Sequence, residues 1–223
     1  MAIDGPAAAG KTTVAEALAA RIGALFLDTG LLYRATTLLA LRAGLDPSDG
    51  PAIAAALRDT DIAIQPPSLA DGRTSDVLID GEDVTPLLRT PEIDRHVSTV
   101  SAHRVVRGQL LPLQRRISGQ GRVVMVGRDI ATVVVPDAGV KIYLDASDEE
   151  RARRRHRELV IRGLDVSLDS ILEDLRRRDA ADAGRDASPL RRADDAVVVD
   201  SDGKSIDQVT AEIAAIAERA WAS

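Results

Sequence analysis

The chain has 223 residues, 45% hydrophobic and 29% charged, with a net charge of −6 and a pI near 5.2. This length fits one core domain with room for an insertion, and burial of roughly 70% of the unfolded chain's surface. The acidic balance argues against general binding of nucleic acid or membrane surfaces. The absence of cysteine excludes disulfides and thiolate metal sites. No apolar run approaches the ~20 residues of a membrane span, and no basic-then-apolar leader is present, so a cytoplasmic enzyme or binding protein is expected.

Met1–Asp4 supplies a short first strand that runs into a glycine-rich turn. Lys11–Ile22 follows as a helix, with Val14, Leu18 and Ile22 on one face and Gly23 as its stop. "ALFLD" (24–28) reads as a strand and Leu31–Ala43 as a second helix. From about Asp61 to Thr90, "DIAIQP" and "DVLIDG" are short alternating segments separated by prolines and Asp71-Gly72, the pattern of a small antiparallel insertion. Thr90-Pro91 opens another helix, and Pro112 falls inside a helix over about 102–118, where a kink is expected. "RVVMV" (122–126), "VKIYLD" (140–145) and "AVVVD" (196–200) suit strands buried on both faces of a parallel sheet. Ser147 and Glu150 have capping-box spacing ahead of "RARRRHREL", and a last internal helix starts near Ser167. Helices between apolar strands indicate an α/β fold.

Gly5, Gly10, Lys11 and Thr12 satisfy G-x-x-x-x-G-K-[ST] between a strand and a helix. In such a phosphate-binding loop, glycines let backbone N–H groups turn inward and the helix adds its positive dipole end. Lys11 reaches the β/γ-phosphates and the Thr12 hydroxyl coordinates Mg²⁺. The sequence contains no asparagine, so the N-K-x-D motif of switch GTPases is absent.

In the helix after Ser167, Leu168, Ile171 and Leu175 form an inward stripe whose spacing continues to Arg178, Asp182 and Arg185. A stripe that turns ionic on its own face marks either a ligand site or a helix end emerging into solvent. Arg151, Arg154 and Arg155 share another helix face, either solvated or closing over a triphosphate. Arg128 and Asp129 follow a buried strand, and ligands of open α/β sheets bind beyond the carboxyl ends of strands. His96, His103 and His156 read as surface or structural residues.

Together these pieces resemble the bacterial cytidylate (CMP) kinases, a branch of the nucleoside monophosphate kinases. The carriers are "IDGPAAAGKTT" (3–13), "LDTGLLYRA" (27–35), "DGEDVTPLLRTPEID" (80–94), "GRDIATVVVPDAGVKIYLDAS" (127–147), "RRRD" (176–179) and "SPL" (188–190). The resemblance implies a P-loop kinase core, a three-layer α/β/α arrangement over 1–60 and 101–223, with an arginine-rich lid at about 151–166 and a CMP-binding insertion over 61–100. It implies transfer from ATP, with Mg²⁺, to CMP or dCMP. ATP contacts would fall to Gly5, Pro6, Ala7, Ala8, Ala9, Gly10, Lys11, Thr12 and Thr13, with Arg151 and Arg155 from the lid. Thr29, Arg107, Asp129 and Arg185 would meet the cytosine, and Ser98, Arg178 and Asp182 the sugar. Arg34 and Arg128 would hold the acceptor phosphate. Lys11, Arg128, Arg154 and Arg178 would be catalytic, and Thr12 the metal residue. No nucleic acid, membrane or second subunit is implied, and a monomer is expected.

Two departures stand out. Val126 occupies a position where the family usually carries an acid that holds Mg²⁺ waters, so either Asp4 or Asp28 positions the metal or turnover is impaired. Ala181 replaces a common arginine. Two other readings therefore remain: a P-loop kinase with another acceptor (UMP, AMP or a small metabolite such as shikimate or dephospho-coenzyme A), or a catalytically weak nucleotide-binding protein.

Overall fold

A computed structural model describes residues 1–71, 73–161, 163–184 and 188–222. The chain divides into two compact units, 1–27 with 118–223, and 28–117.

The first unit is built on a five-stranded sheet. Its strands are β1 (Ala2–Asp4), β2 (Leu25–Asp28), β6 (Val123–Gly127), β7 (Lys141–Asp145) and β8 (Val197–Asp200), in the order β2-β6-β1-β7-β8. β1 pairs parallel with β6 and β7, and β7 with β8, the arrangement expected of strands joined through helices. β1 is only three residues long, yet it lies at the centre and is buried throughout. β6 is equally apolar and buried from Val123 to Val126. β8 departs from the expected two-sided burial: it is an edge strand, and Val197 and Val198 are 45% and 43% exposed. Only Val199 faces the core there.

α1 (Lys11–Ile22) and α8 (Ile206–Ala222) pack together, placing Val14, Leu18, Val209 and Ile213 against Ile3, Val124, Val126 and Ile142. α6 (Asp148–Ile161) packs along α7 (Leu168–Ala183), burying Ala152, Ile171 and Leu175 with Ala7. Only half of the predicted capping box forms. Ser147 Oγ accepts from Glu150 N, but Ser147 N donates to Asp202 while Glu150 turns to Arg153 and Arg154.

The second unit contains the 61–100 segment and extends beyond it. Strands β3 (Ile62–Gln65), β4 (Asp76–Ile79) and β5 (Glu82–Asp83) form an antiparallel sheet. Among the described residues it is accompanied by the α-helices α2 (Gly30–Arg42), α3 (Gly50–Arg58), α4 (Pro91–Ala102) and α5 (Arg104–Ser118), and by a 3-10 turn at Thr85–Leu87. Leu32, Ile53, Val77, Leu88, Ile93 and Leu110 are among the buried residues of its core. Arg73 knits the sheet's loops by meeting Asp71, Asp76 and Asp83 at 2.8 Å each.

Pro112 lies inside a helix, as expected, and the break in helical geometry comes earlier in the chain. The chain leaves helical geometry at His103 (ψ 118°), whose ring meets the Pro47 carbonyl, and α5 then runs through Pro112. Pro112 and Gly108, four residues before it, are both exposed. Water can therefore take the carbonyl that proline cannot serve.

Candidate active site

The phosphate-binding loop connects β1 to α1, and its shape depends on two glycines. A Cβ on Gly5 would sit 2.0 Å from the Leu144 carbonyl oxygen of β7, so only glycine lets the loop leave β1 so close to its neighbour. Gly10, the N-cap of α1, has φ 89°. Ala8 also adopts left-handed geometry, at φ 58°, without a glycine's freedom. The Lys11 ammonium donates to the carbonyls of Gly5 (2.7 Å) and Pro6 (2.6 Å), so the lysine folds back along its own loop. Thr12 is partly buried and Thr13 exposed.

The loop is gripped from outside. Ala7 N–H donates to Asp179 (3.1 Å), while the Ala7 carbonyl accepts from Arg151 at 2.9 Å. Arg151 and Asp179 are themselves paired, and Arg151 also meets Asp148. Burial works against the Arg151 charge, but Asp179 foremost and Asp148 more than offset it, so its pKa is raised. Arg154 holds the other side of the loop, reaching the Ala9 carbonyl (3.3 Å) and both the Oγ (2.9 Å) and carbonyl (2.7 Å) of Ser201. Arg155 pairs with Glu158. Arg151 and Arg154, predicted as lid residues, thus contact the loop's carbonyls, and Arg151 is only 3% exposed.

Past β6, the segment carrying Arg128 and Asp129 is anchored by Asp4. This last residue of β1 accepts from Ile130 N and Ala131 N, both at 2.8 Å, where a π-helical turn (Ile130–Val134) begins. Burial raises the Asp4 pKa to about 6. The charge of Asp129 adds to the rise, against the two backbone N–H bonds and Lys11. Arg128 donates to Asp182 at 2.9 Å, and Asp182 is buried in α7. The ionic end of the helix stripe is therefore an internal charge pair at Asp182. Arg178, on the same stripe, is partly buried, and Arg185 lies outside the described residues.

In the second unit, Arg34 donates to the Leu88 carbonyl (2.8 Å) and to Asp94 (2.7 Å). Thr29 is buried as the N-cap of α2, and Asp28 accepts from Gly30 N at 2.9 Å. Arg107 is buried with its guanidinium 5.0 Å from the Tyr33 ring centroid and donates to the Ser101 carbonyl. Ser98 is partly buried on α4, one turn before Ser101.

Sequence reasoning missed three participants. Asp179 was visible only as the end of "RRRD", with no spacing that tied it to Ala7, 172 positions away. Ser201 lies 192 positions from its Ala9 partner. The Asp202 contact with Ser147 spans 55. None of these pairings carries a local signal.

Among the described residues, no helix is long and apolar enough to cross a membrane. One solved structure, of an uncharacterized protein from Eubacterium ventriosum, aligns with 97% of the chain and 96% of its own at a TM-score of 0.51. At 11% identity that likeness concerns the fold alone. The sequence comparisons reach further. The chain is 51% identical over 219 residues to the cytidylate kinase of Roseiflexus castenholzii, covering 97% of this chain and 93% of the relative. It is 48% identical over 219 residues to that of Carboxydothermus hydrogenoformans, covering 98% and 97%. The profile described as Cytidylate kinase matches residues 1–219. With a phosphate-binding loop between β1 and α1, and these matches along nearly its whole length, the chain belongs to the cytidylate kinase family.

Proposed function

We infer that the chain is a phosphotransferase that moves the γ-phosphoryl group of ATP to CMP and dCMP, giving ADP and CDP or dCDP. The observation that carries this reading is the family match over residues 1–219 together with the loop geometry at Gly5–Thr12. A phosphate oxygen of CMP is the nucleophile and is already ionised near neutral pH, so no general base is required. Catalysis then consists of alignment and of cations placed on the spreading charge.

The donor triphosphate is assigned to Gly5–Thr13, with Lys11 reaching the β- and γ-phosphates. Thr29, Arg107, Asp129 and Arg185 are assigned to the cytosine, Ser98, Arg178 and Asp182 to the sugar, and Arg34 and Arg128 to the acceptor phosphate. Arg34 already sits in a charge pair with Asp94, and the assigned residues Arg128 and Asp182 pair with each other. On α6, Arg154 is assigned to catalysis and Arg155 to ATP, while Arg151, expected to meet ATP, donates to the loop's own Ala7 carbonyl and is assigned to the loop instead. Segment 61–100 is assigned to the acceptor nucleotide. A monomer in the cytoplasm is the setting we assign, since no assigned role needs a second copy.

Mg²⁺ fits this chain as an ion carried by phosphates. No cluster of three His, Cys, Asp or Glu residues that could cage a metal occurs among the described residues. Mg²⁺ bound with a nucleotide needs only one or two protein oxygens besides phosphates and waters, and the Thr12 hydroxyl at the start of α1 is the one assigned. When bound, the ion neutralises charge on the β- and γ-oxygens. Both Asp4 oxygens already accept backbone N–H groups, so Asp4 orients the Arg128–Asp129 segment whatever else it meets.

Incubation with ATP, Mg²⁺ and CMP should yield ADP and CDP in equal amounts by ion-exchange chromatography. A catalytically weak nucleotide-binding protein is the second reading, favoured by Val126, whose side chain is 1% exposed within the apolar core. CMP and ATP binding without CDP formation would establish that reading instead.

A further inference from the structure

We propose that Asp179 and Arg151 are positioning residues for the donor nucleotide, acting as a latch that holds the phosphate-binding loop in its working shape. This rests on the reading that the loop binds ATP.

Three bonds carry the proposal, and they close a ring around one residue. The Ala7 N–H donates to one oxygen of Asp179 at 3.1 Å. The other oxygen of Asp179 accepts from Arg151. The same Arg151 nitrogen donates to the Ala7 carbonyl at 2.9 Å. Both main-chain groups of Ala7 are thus fixed by a charge pair whose arginine is buried and held again by Asp148. Ala7 is itself 4% exposed, packed with Ala152, Ile171 and Leu175 of α6 and α7. The loop's outer edge is therefore tied to the two helices by polar and apolar contacts at once.

What needs holding is the next residue. Ala8 has φ 58°, a conformation an alanine adopts rarely outside a structure that enforces it. Fixing the Ala7 peptide on both sides limits the rotation by which Ala8 would relax to right-handed geometry. That relaxation would turn the following N–H groups, those of Ala9 and Gly10, away from a bound phosphate. Asp179 and Arg151 then act on ATP through the backbone, without touching it.

The test compares Asp179→Ala, Asp179→Asn and Asp179→Ala combined with Ala8→Gly, using the full chain. ATP and CMP dissociation constants are read by calorimetry, and KM for each by steady-state kinetics. Asp179→Ala should raise Kd and KM for ATP at least tenfold, with those for CMP changed less than threefold. Asp179→Asn keeps an acceptor for Ala7 and loses the charge paired with Arg151, so its ATP loss should be intermediate. Adding Ala8→Gly should recover several-fold of the ATP affinity lost in Asp179→Ala, because glycine takes positive φ without a Cβ penalty. Should Asp179→Ala fail to fold, the Asn variant with and without Ala8→Gly gives the same comparison. Unchanged ATP affinity, equal losses for ATP and CMP, or no recovery on adding Ala8→Gly would each overturn the latch. A wild-type chain that binds ATP yet leaves CMP unphosphorylated would refute the proposed activity while leaving the latch readable from ATP binding.

Discussion

Arg128 donates to Asp182 across 2.9 Å, joining the loop after β6 to α7 through a pair whose acid is 7% exposed and whose arginine is 23% exposed. Both residues are assigned to the acceptor nucleotide, one to its phosphate and one to its sugar. Removing Asp182 therefore deletes a ligand and releases the guanidinium that must meet the phosphate. Asp182→Ala should raise KM for CMP about 10- to 100-fold, the equivalent of ~1.5–3 kcal/mol for a bond to a charged group. KM for ATP should change less than threefold. Equal loss for both nucleotides in steady-state assays would mean a general folding defect.

Ala8 holds a positive φ of 58° in the phosphate-binding loop. Ala8→Gly relieves roughly 1–2 kcal/mol of backbone strain and adds about 0.5–1 kcal/mol of unfolded-state entropy cost. A net gain of up to about 1.5 kcal/mol should raise Tm by up to roughly 3–6 °C in calorimetry. A lower Tm would show that the surrounding contacts already remove the strain.

Val126 pairs with Ile3 in the register of β6 against β1 and packs with Val14, Leu18 and Val124. Val126→Asp places a carboxylate in this apolar cluster, at an expected cost of several kcal/mol and a Tm lower by roughly 10 °C. If a nearby cation is the natural partner of an acid here, added ATP with Mg²⁺ should restore part of that loss and turnover should rise. A Tm that falls equally with and without ATP and Mg²⁺, and unchanged turnover, would show that the chain has no use for an acid at this position.

Asp4 gives a pH signature. Its folded pKa, about 6, lies above the ordinary 3.8, so the folded chain binds the proton more tightly than the unfolded one. This contribution to stability is fully present below pH 3.8 and is lost as pH rises through about 6. At about 1.4 kcal/mol per pH unit, the loss is on the order of 3 kcal/mol. Asp4→Asn removes the titrating group, and its amide cannot accept from both Ile130 and Ala131, so its deficit against the wild type is largest at low pH and shrinks as pH rises through about 6. Denaturation series from pH 4 to 8 should show the variant lacking the wild type's decline across the pH 4–6 window. Parallel curves would show that Asp4 does not titrate there.

Apart from the three-residue β1, the sheet strands were legible, as were α1 and the phosphate-binding loop, because each has a local code: apolar runs of four to six residues, 3.6-residue periodicity, and glycines where φ must be positive. The edge position of β8 was not, since "AVVVD" is as apolar as the central strands and exposure depends on sheet order. Pro112 was legible as a residue inside a helix, but whether a helix tolerates it depends on whether the carbonyl four residues earlier can reach water. The Asp182 end of the α7 stripe was legible as an anomaly, a buried spacing that turned ionic. Its partner Arg128, and the Asp179–Ala7 contact, depend on tertiary placement alone.

On this reading the fold phosphorylates a cytidine nucleotide. The direct test is kcat/KM with ATP and Mg²⁺ for CMP, dCMP, UMP, AMP and dTMP under one set of conditions. CMP and dCMP should exceed AMP and dTMP by at least 100-fold, with CDP and dCDP as products. A preference for AMP or dTMP would contradict the claim.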